Sequence, residues 1–154
     1  QMAELIGAYR EARVRAGHKG PGRVMLAFHM LCAENEDEAV SLARAPLNAY
    51  LEALVDAASG WITGLWSKDY PQYDAIVRAL SRETFETQQA KGAAWVGTPD
   101  SIAQQIIEYH RQVGGFDIAS LQVNFNVLSL TVAISSMRLF SSAVMPRFRQ
   151  RDTS

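Results

Sequence analysis

Cysteine is nearly absent from this sequence, since Cys32 is the one cysteine among 154 residues. A single cysteine excludes a disulfide within the chain and fits a reducing compartment, so we expect a cytoplasmic protein. Charge of one sign is also lacking, because 15 basic residues are balanced by 16 acidic ones. This balance leaves no electrostatic footprint for nucleic acid or an anionic membrane, and no apolar run reaches the length of a membrane span. We therefore expect neither nucleic acid nor a membrane as a partner.

Internal repeats, low-complexity tracts and linker-like segments are absent too. A chain of 154 residues has the length of one ordinary domain. Residues 1–154 are therefore expected to form a single unit. The three histidines, His18, His29 and His110, are not grouped with other metal-ligating residues in the sequence, so no metal site is predicted.

The clearest strand in the chain covers residues 118–125. Apolar side chains at Leu121, Val123 and Phe125 alternate with polar ones, and successive side chains of a strand point to opposite faces. The polar set consists of Ser120, Gln122, Asn124 and Asn126. Amides are poor strand formers at a surface, so this polar face is expected to meet water, a ligand or a polar interior.

Helices are predicted on both sides of this strand. Upstream, Thr98 is a capping residue, Pro99 suits the first helical position, and a glycine pair ends the helix. Downstream, an apolar stripe begins at Leu130, and Pro146 helps to end that helix. The order helix, strand, helix is typical of an α/β protein with parallel strands.

A second strand is predicted at residues 24–31, an almost continuous apolar run in which His29 is the one polar side chain. Helices are predicted at 1–16, from the Asn35 cap to about Arg44, from Leu47 to Val55, at 73–80 and at 83–91. Pro46 is expected to break the second of these helices or to start the next. Residues 93–97 are predicted to be a connection into the Thr98 cap.

Several short motifs occur in an order that resembles a known family. They are LIGAYREA at 5–12, WVGTPD at 95–100, GGFD at 114–117, LQVNF at 121–125, SMRLF at 136–140 and VMPRF at 144–148. Together they resemble the C-terminal part of the bacterial luciferase-like monooxygenases, which are flavin-dependent TIM-barrel enzymes. Within that family the chain resembles the group found beside polyketide and nonribosomal-peptide genes, which implies a role in natural product biosynthesis.

The resemblance implies an α/β fold that forms the C-terminal portion of a TIM (β/α)8 barrel, with two parallel strands and several helices. The strands at 24–31 and 118–125 correspond to the seventh and eighth strands of such a barrel. A complete barrel normally needs about 250 residues. We therefore expect residues 1–154 to be incomplete without an N-terminal barrel segment or a second chain, and we expect a homo-oligomer.

The function implied by the resemblance is oxidation of a small organic substrate with reduced FMN and O2. Two alternatives stay open: an F420-dependent oxidoreductase of the same fold, and a non-catalytic assembly subunit or remnant that lacks the flavin site. In this family the earlier strands supply much of the flavin contact, including the phosphate ligands. The parent protein is thus expected to be an enzyme, and the isolated chain to be inactive.

Ligands of such barrels meet the C-terminal ends of the strands. This makes His29 on one strand, and Gln122, Asn124 and Asn126 on the other, candidates for contact with cofactor or substrate. His29 is the candidate catalytic residue, and the alternative is a core histidine whose hydrogen bonds are satisfied. The amides are equally suited to the polar edge of a flavin and to a polar layer of the barrel interior.

Aromatic side chains are concentrated among glycines at residues 60–71. Trp61 and Trp66, with Tyr70 close by, suit the wall of a substrate pocket, but they equally suit the bottom of a barrel or a subunit contact. Cys32 lacks the histidine and base that a nucleophilic thiol needs, so we expect it to be buried and inert.

Overall fold

The structure, a computed structural model, describes residues 2–60 and 73–149. Within those ranges the chain forms three strands and seven α-helices. In chain order they are α1 (Met2–Arg15), β1 (Met25–Cys32), α2 (Glu36–Ser59), α3 (Tyr73–Leu80), α4 (Phe85–Ala90), β2 (Ala94–Gly97), α5 (Pro99–Gln112), β3 (Ile118–Gln122), α6 (Leu130–Leu139) and α7 (Pro146–Arg149). A turn of π-helix, Phe140–Val144, lies between α6 and α7.

The three strands form one parallel sheet in the order β2-β1-β3. The C-terminal half of β1 pairs with β2, where His29 lies opposite Ala94. Its N-terminal half pairs with β3, from Met25 opposite Ile118 to His29 opposite Gln122. The predicted fold class, with parallel strands and helices between them, is confirmed.

The predicted number of two strands is wrong, because β2 is a third. Its four residues, Ala94–Gly97, are all buried and too few to show an alternation, so no pattern separates them from a connection. The strand predicted at 118–125 is also shorter than expected, since β3 ends at Gln122. Residues 123–129 belong to the loop that leads to α6.

Helix α2 runs unbroken through Pro46, which contradicts the predicted break at that residue. Asn35 caps its start as predicted, because its side-chain oxygen accepts a hydrogen bond from the backbone N–H of Glu38 at 3.1 Å. The buried residues of the helix recur every fourth position: Ala39, Ala43, Leu47 and Leu51. Burial of this continuous stripe outweighs the cost of a proline inside a helix, which is about 3 kcal/mol.

Arg10 ties α1 to the turn that precedes β3. Its guanidinium donates hydrogen bonds to the carbonyls of Gly114 at 2.5 Å and Gly115 at 3.0 Å. Both glycines have positive φ, 79° and 95°, a conformation that other residues adopt only with strain. The helix predicted before this turn, α5, is confirmed with Thr98 as its cap.

Helices cover both faces of the sheet, so the buried apolar side chains fall into two main clusters. We call the face under α2 the inner face, and its core includes Leu31, Ala43, Leu47, Phe85, Val96 and Phe125. The outer core, on the opposite face, includes Phe28, Met30, Trp95, Ile102, Phe140 and Val144. In the outer core Phe28 stacks on Trp95 with ring centroids 3.8 Å apart. Alternate residues of β1 thus point to opposite helical layers.

Ser136 connects α6 to the end of β1 inside the protein. Its side chain is 2% exposed. The hydroxyl oxygen accepts a hydrogen bond from the backbone N–H of Cys32 at 2.8 Å, and the hydroxyl lies 3.7 Å from the sulfur of Met30. A buried backbone N–H at the end of a strand is thereby satisfied by a side chain.

The Ser136→Ala variant is expected to lose about 1–3 kcal/mol of unfolding free energy, because the Cys32 N–H would stay buried without its acceptor. Urea denaturation followed by circular dichroism measures this loss. Ser141→Ala is the matched control, since the exposed Ser141 hydroxyl bonds to the Arg138 carbonyl of its own helical turn. A change within about 0.5 kcal/mol is expected there, and equal losses in both variants would contradict the role given to Ser136.

Candidate functional site

Among residues 2–60 and 73–149, α2 lies over the C-terminal part of the inner face, and no described helix covers its N-terminal part. Directly opposed residues of neighbouring strands point to the same face of a sheet. Three such pairs from β1 and β3 therefore lie on the inner face. They are Met25 with Ile118, Ala27 with Ser120, and His29 with Gln122. Met25 is 65% exposed and Ile118 is 38% exposed, although both are apolar. Along these three pairs the face therefore changes from apolar at Met25 and Ile118 to polar at His29 and Gln122, before the apolar core that includes Leu31.

His29 lies where the open and the covered parts of the inner face meet. Its imidazole is edge-on to two aromatic rings, that of Tyr50 on α2 at a centroid distance of 5.3 Å and that of Phe125 at 5.9 Å. Both ring nitrogens are shielded from solvent, and neither has a hydrogen-bond partner within residues 2–60 and 73–149. Burial lowers the pKa of His29, so its imidazole is neutral at pH 7 and offers one donor and one acceptor.

An unsatisfied donor and acceptor inside a protein cost free energy, so each such group needs an explanation. The nitrogens of His29 are buried by aromatic carbon on two sides and lie near the C-terminal end of a parallel strand. This combination differs from the satisfied core histidine that was the alternative expectation. It makes His29 the centre of the candidate site.

Of the three candidate amides, Gln122 alone belongs to a strand, and it is half-buried opposite His29. Asn124 and Asn126 are exposed in the loop after β3. Asn126 has a φ of 49°, the left-handed conformation that asparagine tolerates better than most residues. The structure therefore brings Gln122 next to His29 and leaves Asn124 and Asn126 outside the strand.

Phe125 contradicts the predicted alternation of residues 118–125. The alternation predicts that Phe125 shares a face with Leu121 and Val123, but those two pack in the outer core. Phe125 is fully buried in the inner core and contacts His29. Because β3 ends at Gln122, the chain has left strand geometry before residue 125, and the side chain turns to the other face.

Sequence reasoning missed Tyr50 as a neighbour of His29. Tyr50 is half-buried on α2 and belongs to the same helix as the stripe that packs on the sheet. The available signal was the helical spacing of Leu47 and Leu51 on either side of it. The expected break at Pro46 hid that signal, because it separated this part of α2 from the part anchored at the end of β1.

The structure gives less support to a functional role for the remaining candidate residues. Trp61, Trp66 and Tyr70 lie outside the residues that the structure describes, so their role in a pocket wall stays a prediction. Cys32 is 3% exposed, and burial together with the nearby charge of Glu34 raises its pKa to about 11. A thiol that stays protonated at neutral pH is a poor nucleophile.

Within residues 2–60 and 73–149, no three side chains of His, Cys, Asp or Glu are arranged to hold a metal ion. Among the helices in those same ranges, none combines the length and the apolar character needed to cross a membrane.

An α/β barrel is built locally from a parallel sheet with helices between its strands, and its polar site residues lie toward the C-terminal ends of the strands. This chain has that arrangement. Comparison with protein-family models matches residues 1–114 to the luciferase-like monooxygenase family. The chain belongs to this family, which confirms the resemblance drawn from its motifs. Comparison with curated proteins found no match.

Several solved enzyme structures share the fold of this chain. The monooxygenase RslO1 from Streptomyces bottropensis is 22% identical with a TM-score of 0.62, and the match covers 96% of this chain and 38% of that one. The oxygenating constituent of 3,6-diketocamphane monooxygenase from Pseudomonas putida, in complex with FMN, is 22% identical with a TM-score of 0.63, covering 95% and 39%. Riboflavin lyase RcaE, with modified FMN and riboflavin, is 23% identical with a TM-score of 0.58, covering 99% and 37%. The chain thus spans less than two fifths of each of these structures.

Acidification is expected to destabilise the protein partly through His29, because burial lowers its pKa in the folded state. The unfolded chain takes up the proton near the ordinary value of about 6.5, while the folded chain resists it, so stability is present above this pH and is lost as the pH falls through it. The slope from this group is at most about 1.4 kcal/mol per pH unit. In His29→Phe this contribution is absent.

Thermal unfolding of wild type and His29→Phe, measured at several values between about pH 7.5 and pH 5.5, tests the expectation. The wild-type midpoint should fall more steeply than that of the variant. His18→Phe is the control, because His18 is exposed in the loop before β1, and it should follow the wild type. Parallel curves for wild type and His29→Phe would show that burial of His29 has no such effect.

Proposed function

We propose that this chain is the part of a flavin-dependent luciferase-like monooxygenase that contributes the closing strands of the barrel and one wall of its site. The parent protein oxidises a small organic substrate with reduced FMN and O2. The observation that carries the proposal is the half-open inner face, where His29 has unused hydrogen-bonding groups at the strand ends that barrel enzymes use for ligands. Support for the cofactor comes from a structural neighbour that is in complex with FMN.

The side chains on this face fit the uncharged part of a flavin better than its phosphate. A neutral imidazole and an amide suit the polar edge of the isoalloxazine ring. Two cations of the helices that cover the face, Arg44 on α2 and Lys91 at the end of α4, are already paired with Glu86 and Glu83. The phosphate is therefore proposed to bind outside the described residues, as the family resemblance implies.

The reduced flavin, when bound, supplies the oxygen chemistry. The part of this chain is to hold the ligand and to keep water out. Helix α2 covers the C-terminal half of the inner face, and its Tyr50, together with Phe125, shields His29 from solvent. In its neutral form His29 donates a hydrogen bond to the ligand from its protonated ring nitrogen. Trp61 and Trp66 extend this wall in the proposed arrangement.

The open part of the inner face indicates what kind of partner the chain needs. Met25 and Ile118 are apolar and exposed there, and a parallel sheet needs cover on both of its faces. We infer that residues 1–154 act as one unit that is completed by the preceding barrel strands or by a second chain. A natural product as substrate and a homo-oligomeric assembly are parts of the same proposal.

Two other functions use the same surfaces. An F420-dependent oxidoreductase would place its cofactor against the same strand ends, and tighter binding of F420 than of FMN would identify it. A non-catalytic assembly subunit is favoured by the exposure of Met25 and Ile118, because an apolar sheet face serves for docking without any cofactor.

Binding of FMN to the protein purified from its source tests the proposal, with the intact mass measured first. Wild-type protein is expected to perturb the visible absorption of FMN, and His29→Leu and Gln122→Leu should each weaken binding by about 3- to 10-fold through the loss of one hydrogen bond. Gln112→Leu is the matched control, because Gln112 is exposed at the end of α5 and should leave binding unchanged.

The mass separates the alternatives. A protein two to three times heavier than this chain of 17.0 kDa would agree with the share of the neighbours that the chain spans. A protein of 17.0 kDa that leaves the FMN spectrum unchanged would sink the catalytic proposal and leave assembly as the function.

A further inference from the structure

The side chains that enclose His29 are uncharged. Tyr50 and Phe125 stand edge-on to its ring at 5.3 Å and 5.9 Å, and its partners on the neighbouring strands are Gln122 and Ala94. The buried imidazole nitrogens are the polar groups without a partner in this enclosure, as far as the described residues show. A charged ligand group placed here would lose its hydration without an ion-pair partner, whereas a neutral group with one acceptor would satisfy the imidazole N–H.

Phe125 is held by a segment with few other anchors. Residues 123–128 lie outside β3 and α6, and Asn124, Asn126 and Val127 are exposed, the last to 73%. Within the described part of the chain, the segment's one hydrogen bond is from the N–H of Leu128 to the carbonyl of Phe125 at 3.2 Å. Packing of the buried Phe125 and Leu128 side chains and of the half-buried Val123 therefore keeps the segment in place, and such segments open at low free-energy cost compared with regular elements.

We propose that Phe125 is the gate of a ligand site at His29, and that an uncharged organic molecule with a hydrogen-bond acceptor displaces the Phe125 ring and accepts a bond from the imidazole. The ligand replaces the apolar contact that the ring gives up and adds a hydrogen bond that the closed form lacks. Phe125 and the ligand thus compete for one space, and the ligand shifts the segment toward its open arrangement. This inference rests on the proposed function, because it assumes that the ligand binds at the inner face. It adds the class of molecule that binds there.

Chemical modification of His29 tests the gate without any flavin. Diethyl pyrocarbonate reacts with an accessible neutral imidazole, and mass spectrometry of peptides gives the rate at each histidine. In the wild-type chain His29 should react much more slowly than the exposed His18. In Phe125→Ala the rate at His29 should rise at least about tenfold, because the ring no longer shields it.

Two variants keep this result interpretable. Val144→Ala removes a fully buried side chain from the outer core, so it lowers stability without touching the gate, and it should leave the His29 rate near that of the wild type. Phe125→Leu takes the place of Phe125→Ala if the latter does not fold, with a smaller rise expected. Equal rises in Val144→Ala and the Phe125 variant, or a wild-type His29 as reactive as His18, would overturn the gate.

The ligand class is tested with two probes of similar size, the neutral ketone 2-nonanone and the anion octanoate. Saturating 2-nonanone should slow the modification of His29 in the Phe125 variant by at least about fivefold, while octanoate should have little effect. Equal protection by both probes, or none by 2-nonanone, would overturn the inference. Binding of FMN is measured separately, so failure here leaves the proposed flavin function standing, and failure of that function leaves the modification rates as they are.

Discussion

A parallel sheet is stable only when apolar side chains cover both of its faces, and most features of this chain follow from that requirement. On the outer face, α5 and the π-helical turn bury Phe28, Trp95 and Phe140 completely enough to form a continuous core. On the inner face, and among the residues that the structure describes, α2 gives the same cover to the C-terminal half of the strands and not to the N-terminal half. In the described part of the chain, apolar contacts therefore cover the outer face more fully than the inner face. The boundary between the two parts of the inner face is also where His29, the centre of the candidate site, lies.

Helices that begin at a capping residue were predictable from the sequence. Asn35 and Thr98 accept the backbone hydrogen bonds expected of them at the starts of α2 and α5. A helix cap forms between residues three positions apart, so a short stretch of sequence is enough to predict where the helix begins. Pro46 shows the limit of this reasoning, because the stripe that buries α2 against the sheet extends to both sides of it and decides the outcome. The strand Ala94–Gly97 was missed for a similar reason: its role is set by the partner β1 and not by its own pattern.

The candidate site was half predictable. In the sequence, His29 stood out as the one polar side chain of an apolar strand, and Gln122 as one of several alternating amides. In the structure, the register of β1 and β3 places the two residues opposite each other. Tyr50 and Phe125 reach the same imidazole from a helix and a loop. Their approach depends on how α2 crosses the sheet and on where β3 ends, and neither is encoded by local spacing. Asn124 and Asn126 belong to the same alternating pattern as Gln122, but they do not lie beside His29, because β3 ends at Gln122.

The bond between Arg10 and the turn before β3 bears on the order in which the molecule forms. Its partners are 104 and 105 residues away along the chain. Helix α1 buries one side chain, Ile6, and a short helix with so little buried surface is marginal in water by itself. A ribosome that adds 5–20 residues per second makes the glycine turn on the order of ten seconds after α1. During that interval the helix can pack only on residues that follow it closely, such as Val24, so the contact with the turn is the part of its docking that forms late.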